Sequence, residues 1–112
     1  MYFKPPKDSG NIIWTRHAAR KMRQYQLSEG RLRRLLIHYE RKEEGVAPGT
    51  IALMQSAGSK KHPSEVWLMY QPINKKTKII TAWRYPGRSQ KRELPIPDDV
   101  VDELGLKALS AD

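Results

Sequence analysis

The chain has 112 residues, of which 38% are hydrophobic and 29% are charged, so it can form one domain with one core. It contains no cysteine, which excludes a disulfide framework and cysteine-ligated metal. Its net charge of +9 indicates a polyanionic partner, most simply RNA or another nucleic acid. The first ten residues lack the apolar run of a signal peptide, and no stretch could span a membrane. We therefore expect a cytoplasmic protein with no membrane partner.

The charge is unevenly distributed along the chain. Residues 1–92 contain twenty Lys/Arg and six Asp/Glu, whereas residues 93–112 contain one and six. This predicts a basic body and an acidic tail. We divide the chain into an irregular lead-in over residues 1–11, an α+β domain over residues 12–92, and an acidic tail with a short helix over residues 93–112.

A first amphipathic helix is predicted between residues 14 and 28. Thr15 is the expected N-cap. The apolar stripe at helical spacing consists of Trp14, Ala18, Met22 and Tyr25. A second row, at the border between this stripe and the solvent, consists of His17, Lys21 and Gln24.

A second helix follows after very few residues, with Ser28 as its expected cap. Its apolar stripe consists of Leu32, Leu35, Leu36 and Tyr39. We expect Arg41 and Lys42 to lie on the polar side of this helix.

Three β-branched and aromatic runs then predict strands over Thr50–Gln55, Glu65–Gln71 and Thr77–Tyr85. Residues 56–63 are expected to form a mobile polar loop, and residues 72–76 a hairpin turn. Residues 12–14 are a short β-prone run. The prediction is an α+β domain in which two N-terminal helices pack on a three- to four-stranded antiparallel sheet. Alternation in the second run places Val66, Leu68 and Tyr70 on one face and Trp67 and Met69 on the other.

In the acidic tail, Asp98 or Asp99 is expected to cap a short helix that ends at Leu104, before Gly105. Val100, Val101 and Leu104 are its possible apolar anchors. Two roles stay open for this tail. It either shields the basic body from nucleic acid, or packs on the sheet and completes the core.

His17 is the best catalytic candidate. Its place near a helix N-terminus, beside Arg16, Arg20 and Lys21, disfavours the cationic imidazole and leaves a neutral base. The alternative is a structural histidine that hydrogen-bonds a sheet carbonyl. His17, His38 and His62 lack ligand spacing, so we expect neither a metal nor a cofactor.

Arg84 and Tyr85 end the last predicted strand. The forked guanidinium could hold a phosphate, and the phenol could stack on a base or transfer a proton. The expected nucleic-acid contacts are Arg16, Arg20, Arg31, Arg34, Lys60, Lys61 and Arg88.

The run Thr15-Arg16-His17-Ala18 with Met22, followed by Leu27-Ser28 and a second helix, resembles the start of a bacterial domain family of unknown function. That family is similar to the RelE-like and BrnT-like toxins of the barnase–EndoU–colicin–RelE nuclease group. The resemblance covers residues 12–86 and implies a small cytoplasmic ribonuclease paired with an antitoxin protein. By position, His17 matches the family's helix-one histidine, and Arg84 and Tyr85 lie near its arginine and later tyrosine. Residues 56–63 and the acidic tail depart from the pattern.

The predicted function is a metal-independent endoribonuclease of toxin–antitoxin type, in which an RNA 2′-hydroxyl attacks the adjacent phosphate. His17 would be the base or acid, and Lys21 and Arg84 would stabilise the phosphorane. Arg20 would position the backbone, and Tyr85 would stack or transfer the second proton. The alternatives are a non-catalytic nucleic-acid-binding domain and a protein-interaction adaptor.

Overall fold

The computed structural model describes residues 3–104. The elements, in chain order, are β1 (Ile12–Trp14), α1 (Arg16–Tyr25), α2 (Glu29–Ile37), β2 (Arg41–Glu44), β3 (Ile51–Gly58), β4 (Pro63–Ile73), β5 (Lys76–Pro86) and α3 (Asp98–Leu104). The predicted α+β class, with two N-terminal helices and a short C-terminal helix, is confirmed.

The sheet has five strands in the order β1-β5-β4-β3-β2, so it is slightly larger than predicted. β3, β4 and β5 form the predicted antiparallel meander, whereas β1 adds to β5 in parallel and makes the sheet mixed. The turn between β4 and β5 contains only Asn74 and Lys75, whose φ angles are 47° and 67°. Two consecutive left-handed residues form the turn type that matches the twist of a tight hairpin.

Two local predictions are wrong. α2 ends at Ile37, and Arg41 and Lys42 lie in β2, paired with Met54 and Leu53. Tyr39 is outside the helix and 45% exposed, so it is not part of the apolar stripe. Half of the predicted loop over residues 56–63 is strand, since β3 continues to Gly58 and β4 begins at Pro63, and only residues 59–62 connect them. In β2 and at the adjoining ends of β3 and β4, main-chain pairing forms strands that the side-chain pattern does not predict.

The sheet is covered on both faces. Val66 and Leu68 belong to a core cluster shared with α1 and α2, as the alternation predicted. Trp67 and Met69 belong to a second cluster on the opposite face. That face is covered by the segment that carries Leu94 and Ile96 and by α3, whose Val100 is fully buried.

β1 pairs only with residues 77–79 of β5. α1 lies against the following part of β5, where it contacts Thr81 and Arg84. Thr15 is the N-cap, as predicted, and accepts from the main-chain N–H of Ala18 at 3.0 Å. Its hydroxyl also lies 3.0 Å from the carbonyl oxygens of Ile79 and Ile80. Ser28 caps α2, also as predicted. These contacts fix α1 on β5 and place the predicted site residues.

Candidate nucleic-acid interface

Lys21 is buried between α1 and α3, with 1% of its surface exposed. Its Nζ donates to Gln24 Oε1 at 2.8 Å, to Asp99 Oδ2 at 2.7 Å and to Glu103 Oε1 at 2.8 Å. An ammonium group has three N–H donors, and all three are used here. Lys21 therefore holds α3 on the body and has no donor left for a phosphate while α3 is in place.

His17 lies beside Lys21 and is 9% exposed. Its Nε2 is 2.8 Å from the hydroxyl of Thr81, so its partner is a side chain rather than the expected carbonyl. Its Nδ1 is 3.6 Å from Glu103 Oε2 and makes no hydrogen bond within the described residues. Burial is the main cause that lowers the pKa of His17; Lys21 and Arg20 add to this, and Glu103 and Asp99 oppose it. The lowered pKa favours the neutral imidazole.

Arg84 completes the C-terminal end of α1. Its Nε donates to the carbonyl oxygen of Tyr25 at 2.8 Å, and its Nη2 to that of Gln26 at 3.2 Å. Tyr85, the next residue, packs with the second core cluster on the opposite sheet face. The four predicted catalytic residues thus lie in three places. The structure brings His17 and Lys21 together, but not with Arg84 or Tyr85.

Arg31 and Arg84 lie near one end of the sheet, and the charges of Arg34 and Arg84 both act on Arg31. Gln55, Val66 and Arg84 are adjacent across β3, β4 and β5, and Arg31 of α2 donates to Gln55. The charges of Arg34 and Arg84 lower the pKa of Arg31, second to burial, whereas that of Glu40 opposes the shift. We call Arg31, Arg34 and Arg84 the arginine cluster.

Further predicted contacts extend the same end of the sheet. Lys60 and Lys61 are exposed in the connection between β3 and β4, and Arg88 is exposed just after β5. The main-chain N–H of Gly87 donates to Pro63 at 2.8 Å, which ties the end of β5 to the start of β4. Arg16 and Arg20 are exposed on α1, nearer its N-terminus. Most of the predicted contacts therefore share one end of the sheet with the arginine cluster.

Arg41 has a role that the sequence pattern did not predict. Its guanidinium pairs with Glu43 at 2.8 Å and lies 5.1 Å from the ring centre of Trp67. It also donates to the main-chain oxygens of Ser89, Gln90 and Glu93. Glu65, which is 2% exposed, accepts from the N–H and the hydroxyl of Ser89. Arg41 thus holds the segment that leads to α3 on the sheet. This role could not be predicted because these partners lie 48 to 52 residues from Arg41 in the sequence.

Within residues 3–104, no three His, Asp or Glu side chains lie close enough to share a metal ion. In the same part of the chain, no helix is both long enough and apolar enough to cross a membrane.

The chain was compared with family models, with curated proteins and with solved structures. No match was found in any of the three comparisons. The resemblance to RelE-like toxins therefore stays a prediction from the sequence motif.

Proposed function

We propose that this protein binds RNA through the arginine cluster and the exposed cations around it. The supporting observation is that Arg31 of α2 donates to Gln55, and that Gln55 and Arg84 lie in the same row across β3, β4 and β5. Arg34 follows Arg31 by one turn of α2. Bringing like charges together is unfavourable, and an anion bound between them offsets this cost. Arginine presents forked donors that match phosphate oxygens.

The charge of Arg41, unlike that of the arginine cluster, is balanced by neighbouring carboxylates. Arg41 has Glu43 at 2.8 Å and Glu65 at 3.9 Å, so its charge is balanced within the fold. Arg31 instead has two guanidiniums acting on it and Glu40 opposing them. Glu40 itself accepts from the main-chain N–H of Ser56 at 2.6 Å. The arginine cluster therefore keeps a surplus of positive charge.

The test is a titration of fluorescently labelled RNA, followed by anisotropy, at several salt concentrations. Affinity should fall steeply with salt, with a log–log slope of several units. Arg31→Ala combined with Arg34→Ala should flatten the slope and weaken binding. Lys75→Ala combined with Lys76→Ala removes the same charge at exposed sites in and next to the turn between β4 and β5, at the opposite end of the sheet, and is the matched control. Absent binding at low salt, or an equal loss in the control, would contradict the proposal.

RNA cleavage is a second candidate, because neutral His17 lies beside the cationic Lys21. Lys21 is bound by Asp99 and Glu103, so the proposed roles of His17 and Lys21 require α3 to move. Arg84 would then stabilise the phosphorane, and Tyr85 would stack or transfer a proton. A cytoplasmic location and an antitoxin partner belong to this second proposal.

Cleavage is tested with the full chain, with Asp99→Asn combined with Glu103→Gln, and with His17→Ala in each background. Activity that appears on loss of the carboxylates, leaves a cyclic phosphate, persists in chelator and disappears with His17→Ala would support it. If every variant binds RNA and none cuts it, the cleavage proposal is wrong and only the binding function is supported.

A further inference from the structure

A cavity of about 660 Å³ lies at the corner between α1 and α2. It is lined by Phe3, Lys4, Pro5, Arg23 and residues 26–30. This volume is within the usual range for sites that enclose a small molecule or one unit of a polymer. The cavity takes no part in the catalytic roles considered above.

The cavity combines an apolar wall with a cationic rim. Phe3 is half-buried and packs on the helix-side core, and Leu27 beside it is 1% exposed. Lys4 and Arg23 are exposed at the rim. Glu29 also lines the cavity. Its carboxylate accepts from Arg33 at 2.7 Å and from the main-chain N–H of Lys7 at 3.0 Å, and the charge of Lys4 also acts on it. The rim therefore favours an anionic ligand that carries a flat apolar group.

The cavity and the arginine cluster share this corner of the chain. Gln26 lines the cavity, and its carbonyl oxygen accepts from Arg84. Ser28 lines it too, and its hydroxyl accepts from the N–H of Arg31 at 3.1 Å. The guanidinium of Arg84 is thus hydrogen-bonded to a residue that lines the cavity, so a phosphate on Arg84 would lie next to the cavity.

We propose that the cavity takes an unstacked nucleobase from single-stranded RNA whose phosphates bind the arginine cluster. This inference rests on the proposed function and names its substrate class. A base stacked on Phe3 and neighbouring phosphates on Lys4 and Arg23 use both features of the site. A base within a duplex is paired and stacked, so it cannot enter. The protein should therefore prefer single strands.

The test compares one labelled RNA strand with the duplex that it forms with its complement, using the full chain. Wild-type protein should bind the single strand about tenfold more tightly than the duplex. Equal affinity for the two, or tighter binding of the duplex, would overturn the inference without any variant being needed.

Substitutions at Phe3 then locate the effect. Phe3→Leu keeps the apolar packing but removes the ring, and should reduce single-strand affinity to the duplex level. Phe3→Tyr keeps the ring and should retain the preference, and thermal melts of both variants confirm the fold. A preference that survives Phe3→Leu would overturn the assignment of this cavity. Arg31→Ala combined with Arg34→Ala should weaken binding to both RNAs, so a failure of the proposed function is seen separately.

Discussion

The Arg84 guanidinium donates to the carbonyl oxygen of Tyr25 across a separation of 59 residues, at 2.8 Å. The last carbonyls of a helix lack partners within the helix, and a cation near them is favourable. Arg84 supplies both the hydrogen bonds and the charge. The residue that the sequence singled out for phosphate binding therefore also ends α1.

We expect Arg84→Ala to lower both stability and RNA affinity. Loss of the two hydrogen bonds should cost about 1 kcal/mol, which lowers the melting temperature by several degrees in a domain of this size. Arg84→Lys keeps the charge but loses the forked geometry, so it should retain more affinity than stability. Thermal melts and RNA titrations of both variants measure the two effects. An unchanged melting temperature in Arg84→Ala would show that these hydrogen bonds add nothing to stability.

Lys21→Ala should be strongly destabilising, because it leaves Asp99 and Glu103 without their shared partner. Breaking such a pair costs about 3 kcal/mol when the remaining charge is buried. Here the carboxylates are partly exposed, so the cost should be smaller. Denaturant unfolding of Lys21→Ala, of Asp99→Asn with Glu103→Gln, and of all three changes together forms a mutant cycle. Simple additivity in that cycle would mean that Lys21 does not stabilise α3 through these contacts.

The pH dependence of stability should show the neutral state of His17. Its pKa is lower in the folded protein than the ordinary value of 6.5, so the unfolded chain binds more protons below that pH. The contribution of neutral His17 to the free energy of unfolding should therefore be complete above pH 6.5. It should be lost as the pH falls from 6.5 to the pKa of His17 in the folded protein. His17→Gln should flatten this part of the curve. A curve that His17→Gln leaves unchanged would contradict the assignment.

The two helix caps should differ in strength. Ser28→Ala removes one capping hydrogen bond and should cost about 1 kcal/mol. Thr15→Ala should cost more, because the Thr15 hydroxyl also lies 3.0 Å from the carbonyl oxygens of Ile79 and Ile80. Chemical denaturation of the two variants gives the difference. Equal costs would mean that the contacts of Thr15 with β5 contribute little.

The role of the acidic tail can be decided with two adjacent valines. Val100 is fully buried against the second core cluster, whereas Val101 is half-buried. Val100→Ala should cost roughly 1–2 kcal/mol, and Val101→Ala clearly less. RNA affinity measured on the same variants tests shielding. A rise in affinity without a loss of stability in Val100→Ala would favour the shielding role over completion of the core.

Patterns that lie close together in the sequence predicted much of the fold. Helical spacing identified α1 and the buried part of α2, alternation identified the two faces of β4, and the caps Thr15 and Ser28 are recognisable from three or four residues. β2 escaped because Arg41-Lys42-Glu43-Glu44 has no apolar alternation, and its strand conformation comes from pairing with β3.

The candidate site was less predictable, for the same physical reason. Helical spacing predicted the row that contains His17 and Lys21. It could not predict that α3 covers this row. Lys21 meets Asp99 and Glu103 across 78 and 82 residues. Similarly, Arg84 reaches the arginine cluster only because β5 lies beside α1. Contacts of this length depend on the tertiary fold, which no local pattern contains.

The parallel pairing of β1 with β5 also determines when the fold can close during synthesis. Ile12 pairs with Thr77, and Thr15 contacts Ile79 and Ile80, so the first strand waits for partners made more than sixty residues later. The hairpins β3–β4 and β4–β5 are local and can form as soon as they leave the ribosome. The helices can settle on the sheet only once β5 has emerged. Until β5 has emerged, the nascent chain exposes the apolar side of α1, and exposed apolar surface promotes aggregation.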